Sequence, residues 1–196
     1  EDVAQVLLAA EPEVQDYLVA VIDTMARVGE INRLTWNDVN FEERCVVLYT
    51  RKKRGGHLTP RKIPMTTRLH QMLLKRHKHR DQGKPWVFWR RYWSRKARAV
   101  VEGPFQQRKK LMATLCRRAG VRHFGFHALR HFGASVLDRA QVPIGSIQRL
   151  LGHENRTTTE IYLHSIGEAE RDAMAVFERA CQEAPREKSH TQIHTQ

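Results

Sequence analysis

Residues 127–162 read HALRHFGASVLDRAQVPIGSIQRLLGHENRTTTEIY. Leu129, Phe132, Gly133, Val136, Leu137 and Ala140 recur at spacings of three and four, which predicts a helix over about 127–140 with those residues on its buried face. His127 and Arg130 are then neighbours near its start. Free N–H groups and the positive end of the helix dipole favour an anion there. Pro143 fits the first turn of a second helix and Gly152 its end, with Ile144, Ile147, Leu150 and Leu151 as the apolar stripe. His153 follows directly. Thr157 and Glu160 form a capping-box pattern, so a third helix is expected there, with Tyr162 in its early turns.

The set suits phosphoryl chemistry. A phenol, with a pKa of roughly 10, is a weak nucleophile at neutral pH without help. Its attack on a phosphodiester concentrates negative charge on the non-bridging oxygens. Arginines grip such oxygens through several N–H donors and stay charged at any working pH. Histidines donate hydrogen bonds or move protons near neutrality. The product is a phosphotyrosine linkage, which stores the bond for a later rejoining step. The cations are all side chains, so neither a metal nor a cofactor is expected.

The order HALRH, then LLGH ending at His153, then Tyr162 resembles the tyrosine recombinases, also called phage integrases. Upstream, TMARVGEINRLTWNDV at residues 24–39 resembles the family's first arginine box, usually Thr-Gly-Leu-Arg-x-Gly-Glu. Arg27, Gly29 and Glu30 are kept, whereas Met25 and Ala26 replace the glycine and leucine. Any one box is weak; four in order at suitable gaps, spanning residues 24–163, are specific. The resemblance implies a mainly α fold with a small antiparallel β-sheet, the integrase-like catalytic domain. It also implies a catalytic lysine on the hairpin between two strands, Lys52 in preference to Lys53. Glu30 reads as a structural partner of nearby cations rather than as a base.

Composition points the same way. In 196 residues, Lys and Arg number 34 against 21 Asp and Glu, a formal net charge of +13 with a pI of about 10.2. A compact chain this basic meets polyanions, nucleic acid first; a merely solubilising surface is the plainer alternative. The 3 cysteines, Cys45, Cys116 and Cys181, form no CxxC pair. That argues against a disulfide framework or zinc site and for a reducing compartment, so the cytoplasm or nucleoid is expected. No apolar run approaches the ~18 residues of a membrane span.

Taken in order, residues 3–10 predict a short helix, and Pro12 opens a second with Val14, Leu18, Val21, Ile22 and Met25 inward. Arg27 comes at its end, where a cation complementing the dipole is the simple reading. Arg44 to Thr50 predicts a strand and Lys62 to Met65 its return, ending at Pro64. Between them RKKRGGHLTPR, residues 51–61, reads as an exposed basic turn. Arg51, Lys53, Arg54 and Arg61 are its candidates for gripping a DNA backbone. Thr66 or Thr67 caps a helix to about residue 81. WVFWRRYWSRKARAVVEG, residues 86–103, mixes arginines with aromatics, suiting either nucleic-acid contact or a strand with buried rings. A further amphipathic helix runs from Phe105 to Ala119 and stops at Gly120. Residues 168–181 fall in helical register, with residues 183–196 a polar tail expected to be disordered.

These readings converge on one catalytic domain over residues 1–182, without the family's usual preceding DNA-clamping domain in this chain. The expected partners are double-stranded DNA and other protomers, with a tetramer in the synapse. The expected reaction is transesterification by Tyr162, with Arg27, Arg130 and His153 stabilising charge, His127 accepting the phenolic proton and Lys52 protonating the leaving 5′-oxygen. A type IB topoisomerase-like relaxation and a non-catalytic DNA-binding module are the alternatives.

Overall fold

A helix opening on Pro12 anchors the architecture. In the computed structural model, which describes residues 1–51, 57–106, 108 and 110–152, α1 is Asp2–Leu8 and α2 is Pro12–Thr24. Pro12 takes the first helical position, where its missing N–H leaves no bond unmade. Leu18, Val21 and Ile22 face inward, as their spacing predicts, and Tyr17 is wholly buried beside them. The Tyr17 ring meets Phe88, Phe105 and Phe126 at centroid distances of 5.3, 5.2 and 6.0 Å, and its hydroxyl donates to Asn32 Oδ1 at 2.6 Å. Burial pushes the phenol pKa up, so Tyr17 is a neutral donor at the centre of the core.

The chain then turns through α3, Val28–Asn32, and a 3₁₀ turn at Trp36–Asp38, into a three-stranded antiparallel sheet. Its strands are β1 (Val39–Asn40), β2 (Cys45–Arg51) and β3 (Leu58–Pro64), in that order. The sheet matches the expectation from sequence, but β3 begins at Leu58 and not at Lys62. Residues 58–61 are therefore strand, with Pro60 opposite Tyr49 and Arg61 opposite Leu48. The reason is that β3 is an edge strand, where a proline's missing donor is tolerated. Val46 and Leu48 of β2 and Ile63 of β3 turn into the core.

Helix α4, Thr67–Lys78, starts at Thr66, whose Oγ1 accepts the Leu69 N–H at 3.1 Å. Asp23 near the end of α2 takes hydrogen bonds from Thr66 and Arg68, which fixes α4 against α2. A second sheet of two strands follows, β4 (Trp89–Ser94) and β5 (Ala99–Pro104). In it the mixed stretch at 86–103 becomes largely strand, with its aromatics divided between core and surface. Phe88 is fully buried at the base, while Trp93 is 63% exposed further out. Then come α5 (Leu111–Arg118), α6 (Phe126–Arg139) and α7 (Ile144–Leu151). Gly120 and Gly152 end their helices at positive φ. Pro143 caps α7 and does not enter its first turn.

Helix α6 departs from its expected buried face. Phe132 and Val136 are 41% and 45% exposed, whereas Leu129, Arg130 and Ala134 are buried. A stripe spaced at three and four is wide enough to be rotated by a residue, and here the core lies on the side of Arg130. Gly133 meets α2 closely: a Cβ there would stand 2.5 Å from Met25 Cγ. Among the described residues no helix is long and apolar enough to cross a membrane. The expected helices at 157 onward and 168–181, and the tail, lie outside the described residues.

Candidate functional site

The ends of α2 and α7 and the starts of α3 and α6 converge on one place. Helix α2 stops at Met25, which adopts the left-handed conformation at φ 49° and ψ 30°. This is the position where the arginine box usually has glycine, and the conformation supplies the reason. Met25 holds it at a cost of about 1–2 kcal/mol, offset by burial of its side chain with Ala134, Ile147 and Leu151.

Arg27 is the N-cap of α3, two residues past the end of α2, and not a C-terminal cation of that helix. Its backbone N–H donates to Glu30 Oε2 at 2.9 Å, and its side chain is 42% exposed with Nη1 3.6 Å from Glu30 Oε1. The guanidinium is thus braced from behind and open in front. Glu30 is itself buried. It accepts from Arg61 Nη2 at 2.7 Å, Arg61 Nη1 at 2.9 Å and the Thr50 hydroxyl at 2.7 Å. Burial works against its ionisation, yet Arg61, Thr50 and the Arg27 N–H hold its pKa down at about 2. Glu30 is therefore an ionised strut, as a structural partner of cations should be.

Arg61 is placed otherwise than expected. Its side chain is only 11% exposed and is committed to Glu30, Thr50 and, through Nε at 3.2 Å, to the Leu150 carbonyl. It ties β3 to α3 and α7, and it leaves the set of candidate DNA contacts. Gly152 makes room for it: a Cβ there would stand 3.0 Å from Arg61 Cδ.

Arg130 is the largest fully buried side chain. Nη1 donates to the Met25 carbonyl and Nη2 to the Leu151 carbonyl, each at 2.5 Å. One guanidinium thus satisfies the orphan carbonyls of two helix ends and fixes both relative to α6. His127 stands one turn before it, at the exposed start of α6, with its ring edge-on to His131 at 4.9 Å. Partial desolvation, then the charges of Arg130 and Arg27, push the His127 pKa below the ordinary imidazole value. Arg130 lies one turn from it on α6 and binds the carbonyl two residues before Arg27, so the three share one neighbourhood. A neutral imidazole beside two guanidiniums can accept a proton, and the open Arg27 side chain can hold an anion, while the buried Arg130 spends Nη1 and Nη2 on the two carbonyls.

Arg130 also positions Leu151, and Gly152 leads directly into His153. His153, Tyr162, Lys52, Lys53 and Arg54 lie outside the described residues; the Arg51 backbone pairs with Leu58 at the end of β2. Thr50, which the sequence reading places only at the end of a strand, belongs to the site as a partner of Glu30. The carbonyls of Met25 and Leu151 were invisible in the sequence, because every residue type carries one.

Residues 2–168 match the model of the phage integrase family. Tyrosine recombinase XerA of Pyrococcus horikoshii is 30% identical over 165 residues, covering 83% of this chain and 54% of the relative. A tyrosine recombinase XerC-like protein of Caldanaerobacter subterraneus is 27% identical over 177 residues, covering 77% of this chain and 45% of the relative. The chain thus spans about half the length of the curated relatives it matches. In fold it is similar to a XerA recombinase crystal structure, with TM-score 0.68 and 23% identity over 94% of this chain and 64% of that one. It is also similar to the Tn1549 transposon integrase in complex with transposon right end DNA, with TM-score 0.62 and 20% identity over 88% and 63%.

Proposed function

Because the chain belongs to the phage integrase family, we propose that it is the catalytic part of a site-specific DNA recombinase, cutting and rejoining strands through a 3′-phosphotyrosine intermediate. The observation that carries this is that Arg130, one turn from His127 on α6, binds the Met25 carbonyl two residues before Arg27 and the Leu151 carbonyl two residues before His153 in the chain. Tyr162 attacks the scissile phosphate. The guanidiniums of Arg27 and Arg130 stabilise the developing charge, with a further hydrogen bond from His153. His127, kept neutral by its surroundings, takes the phenolic proton. Lys52 protonates the departing 5′-oxygen, and Arg51, Lys53 and Arg54 grip the adjoining backbone. The 5′-hydroxyl of another strand then reverses the step, so exchange needs no ATP. The full reaction joins several protomers on DNA, a tetramer in the synapse, and serves a mobile element or prophage in a bacterial cytoplasm.

The test is a covalent adduct. Nicked duplexes tiled across candidate attachment sites, incubated with protein in EDTA, should give a protein–DNA band that survives boiling in detergent. Tyr162→Phe should bind the same DNA and give no band. An adduct formed by that variant would remove Tyr162 from the reaction.

A further inference from the structure

The β4–β5 hairpin takes no part in the site above. Residues 89–98, WRRYWSRKAR, carry five cations and no acid. Near the base, Glu102 neutralises two cations, accepting from Arg91 Nε at 2.6 Å and from Lys84. Further out nothing does: Arg95, Lys96 and Arg98 are exposed, and among the described residues no carboxylate pairs with them. Trp93 and Val100 sit directly opposite in the ladder and are 63% and 64% exposed. They form an apolar step on one face of the ribbon, next to the unpaired cations.

Arg98 adds an independent signal. It occupies a left-handed position, φ 48°, at the end of the turn. Glycine fits that backbone without strain, so a cation is held where the fold alone favours glycine. Charge continues past the hairpin's base. Arg90 joins Arg108 and Lys110 around a cleft of about 600 Å³ floored by Val14 and Leu115, where Arg118 is paired with Glu11 at 3.8 Å. The cleft lies at the opposite end of α2 from Met25, eleven residues or about 16 Å along the helix axis.

We propose that the β4–β5 hairpin is a second DNA contact, remote from the reacting phosphate, in which Arg95, Lys96 and Arg98 lie on the sugar–phosphate backbone and Trp93 packs against the groove wall. The occupant follows from charge complementarity. A two-stranded ribbon with a cationic, acid-free tip matches a duplex, whose major groove admits such a ribbon. The inference rests on the DNA substrate of the proposed function and adds an affinity surface to it, with no step in the chemistry.

The test uses the full chain and a 60-base-pair duplex of random sequence. Affinity is measured between 50 and 200 mM salt for the parent, for Arg95→Ser/Lys96→Ser/Arg98→Gly together, and for Trp93→Ser. The triple variant should bind at least tenfold more weakly at about 150 mM salt, and its log K against log salt slope should flatten by about 3. It should melt no lower than the parent, because Arg98→Gly removes a left-handed side chain. Trp93→Ser should weaken binding and diminish the quenching of tryptophan fluorescence by DNA. Unchanged affinity and slope in the triple variant would overturn the contact. So would a Trp93→Ser variant with parental DNA affinity but an altered oligomeric state, which would assign the apolar step to a protein partner. The two readings separate cleanly. A parent that forms no Tyr162 adduct yet loses slope with the hairpin cations loses the recombinase reading and keeps the contact. A parent that forms the adduct while the variants bind as it does loses the contact alone.

Discussion

Met25 and Gly133 are one packing decision made on two helices. A left-handed methionine is strained by about 1–2 kcal/mol, but truncating a buried methionine removes about 2–5 kcal/mol. Burial wins, so Met25→Gly should destabilise the protein by about 1 kcal/mol or more in urea unfolding, although it restores the family's usual residue. Gly133→Ala should also destabilise, because its Cβ would stand 2.5 Å from Met25 Cγ. In the double variant Met25→Gly/Gly133→Ala the clash is gone, so its loss should be smaller than the sum of the singles; additive losses would show that the two residues do not touch. His127 makes a second test at this scale. Its pKa lies below the ordinary 6.5 through desolvation, Arg130 and Arg27, in that order. Arg27→Ala removes one positive neighbour, so the His127 pKa followed by NMR should rise; no movement would place Arg27 away from the imidazole. The spacing of His127 and Arg130 put them one turn apart near the start of a helix, and α6 keeps them there. Arg61 was not legible in the sequence, because a run of six Lys and Arg between residues 51 and 62 does not say which one turns inward.

Helices and strands were legible by periodicity wherever one face was plainly apolar, as in α2, β2 and α4. They were less so where a second rule intervened. Pro60 read as a turn residue because the sequence does not reveal that β3 is an edge. Phe132 and Val136 read as core because spacing gives the width of a stripe and not its rotation. The joint between elements is the Glu30–Arg61 pair, linking α3, β2, β3 and α7, with side chains 2% and 11% exposed. Breaking such a pair from one side leaves a buried charge and costs about 3–5 kcal/mol. Glu30→Met and Arg61→Met should each lose about that much, while the double variant should lose less than either single. A double variant that is the worst of the three would mean the pair contributes more than mutual compensation. The pH dependence has a definite sign. The Glu30 pKa falls from the ordinary 4.5 to about 2 on folding, so its contribution is complete above about 4.5 and is lost as pH falls towards 2. The parent's unfolding free energy should drop across that window, and Glu30→Gln should flatten the drop.

At the scale of the whole molecule, the formal charge of +13 stays the same however individual ion pairs form. Internal pairing consumes some cations: Arg61, Arg68, Arg76, Lys84 and Arg91 each face a carboxylate. Lys84 and Arg91 share Glu102 and the other three take one carboxylate each, so pairing leaves the formal excess in place, to be met by solvent ions or by a polyanion. If it is met by phosphates, each contact releases counterions, and log K falls linearly with log salt at about 0.9 per phosphate. A catalytic domain gripping roughly 6–10 phosphates should therefore lose about 10³–10⁵ in DNA affinity between 50 and 200 mM salt. Solubilising charge spread evenly over the surface makes a different prediction, because few cations then reach one duplex at once and the slope is shallow. Affinity for a random duplex, measured across that range by anisotropy, separates the two. A loss below tenfold would leave the basic composition as a matter of solubility. A loss above a thousandfold, retained in Tyr162→Phe, would show that the field of the domain collects DNA independently of the proposed reaction.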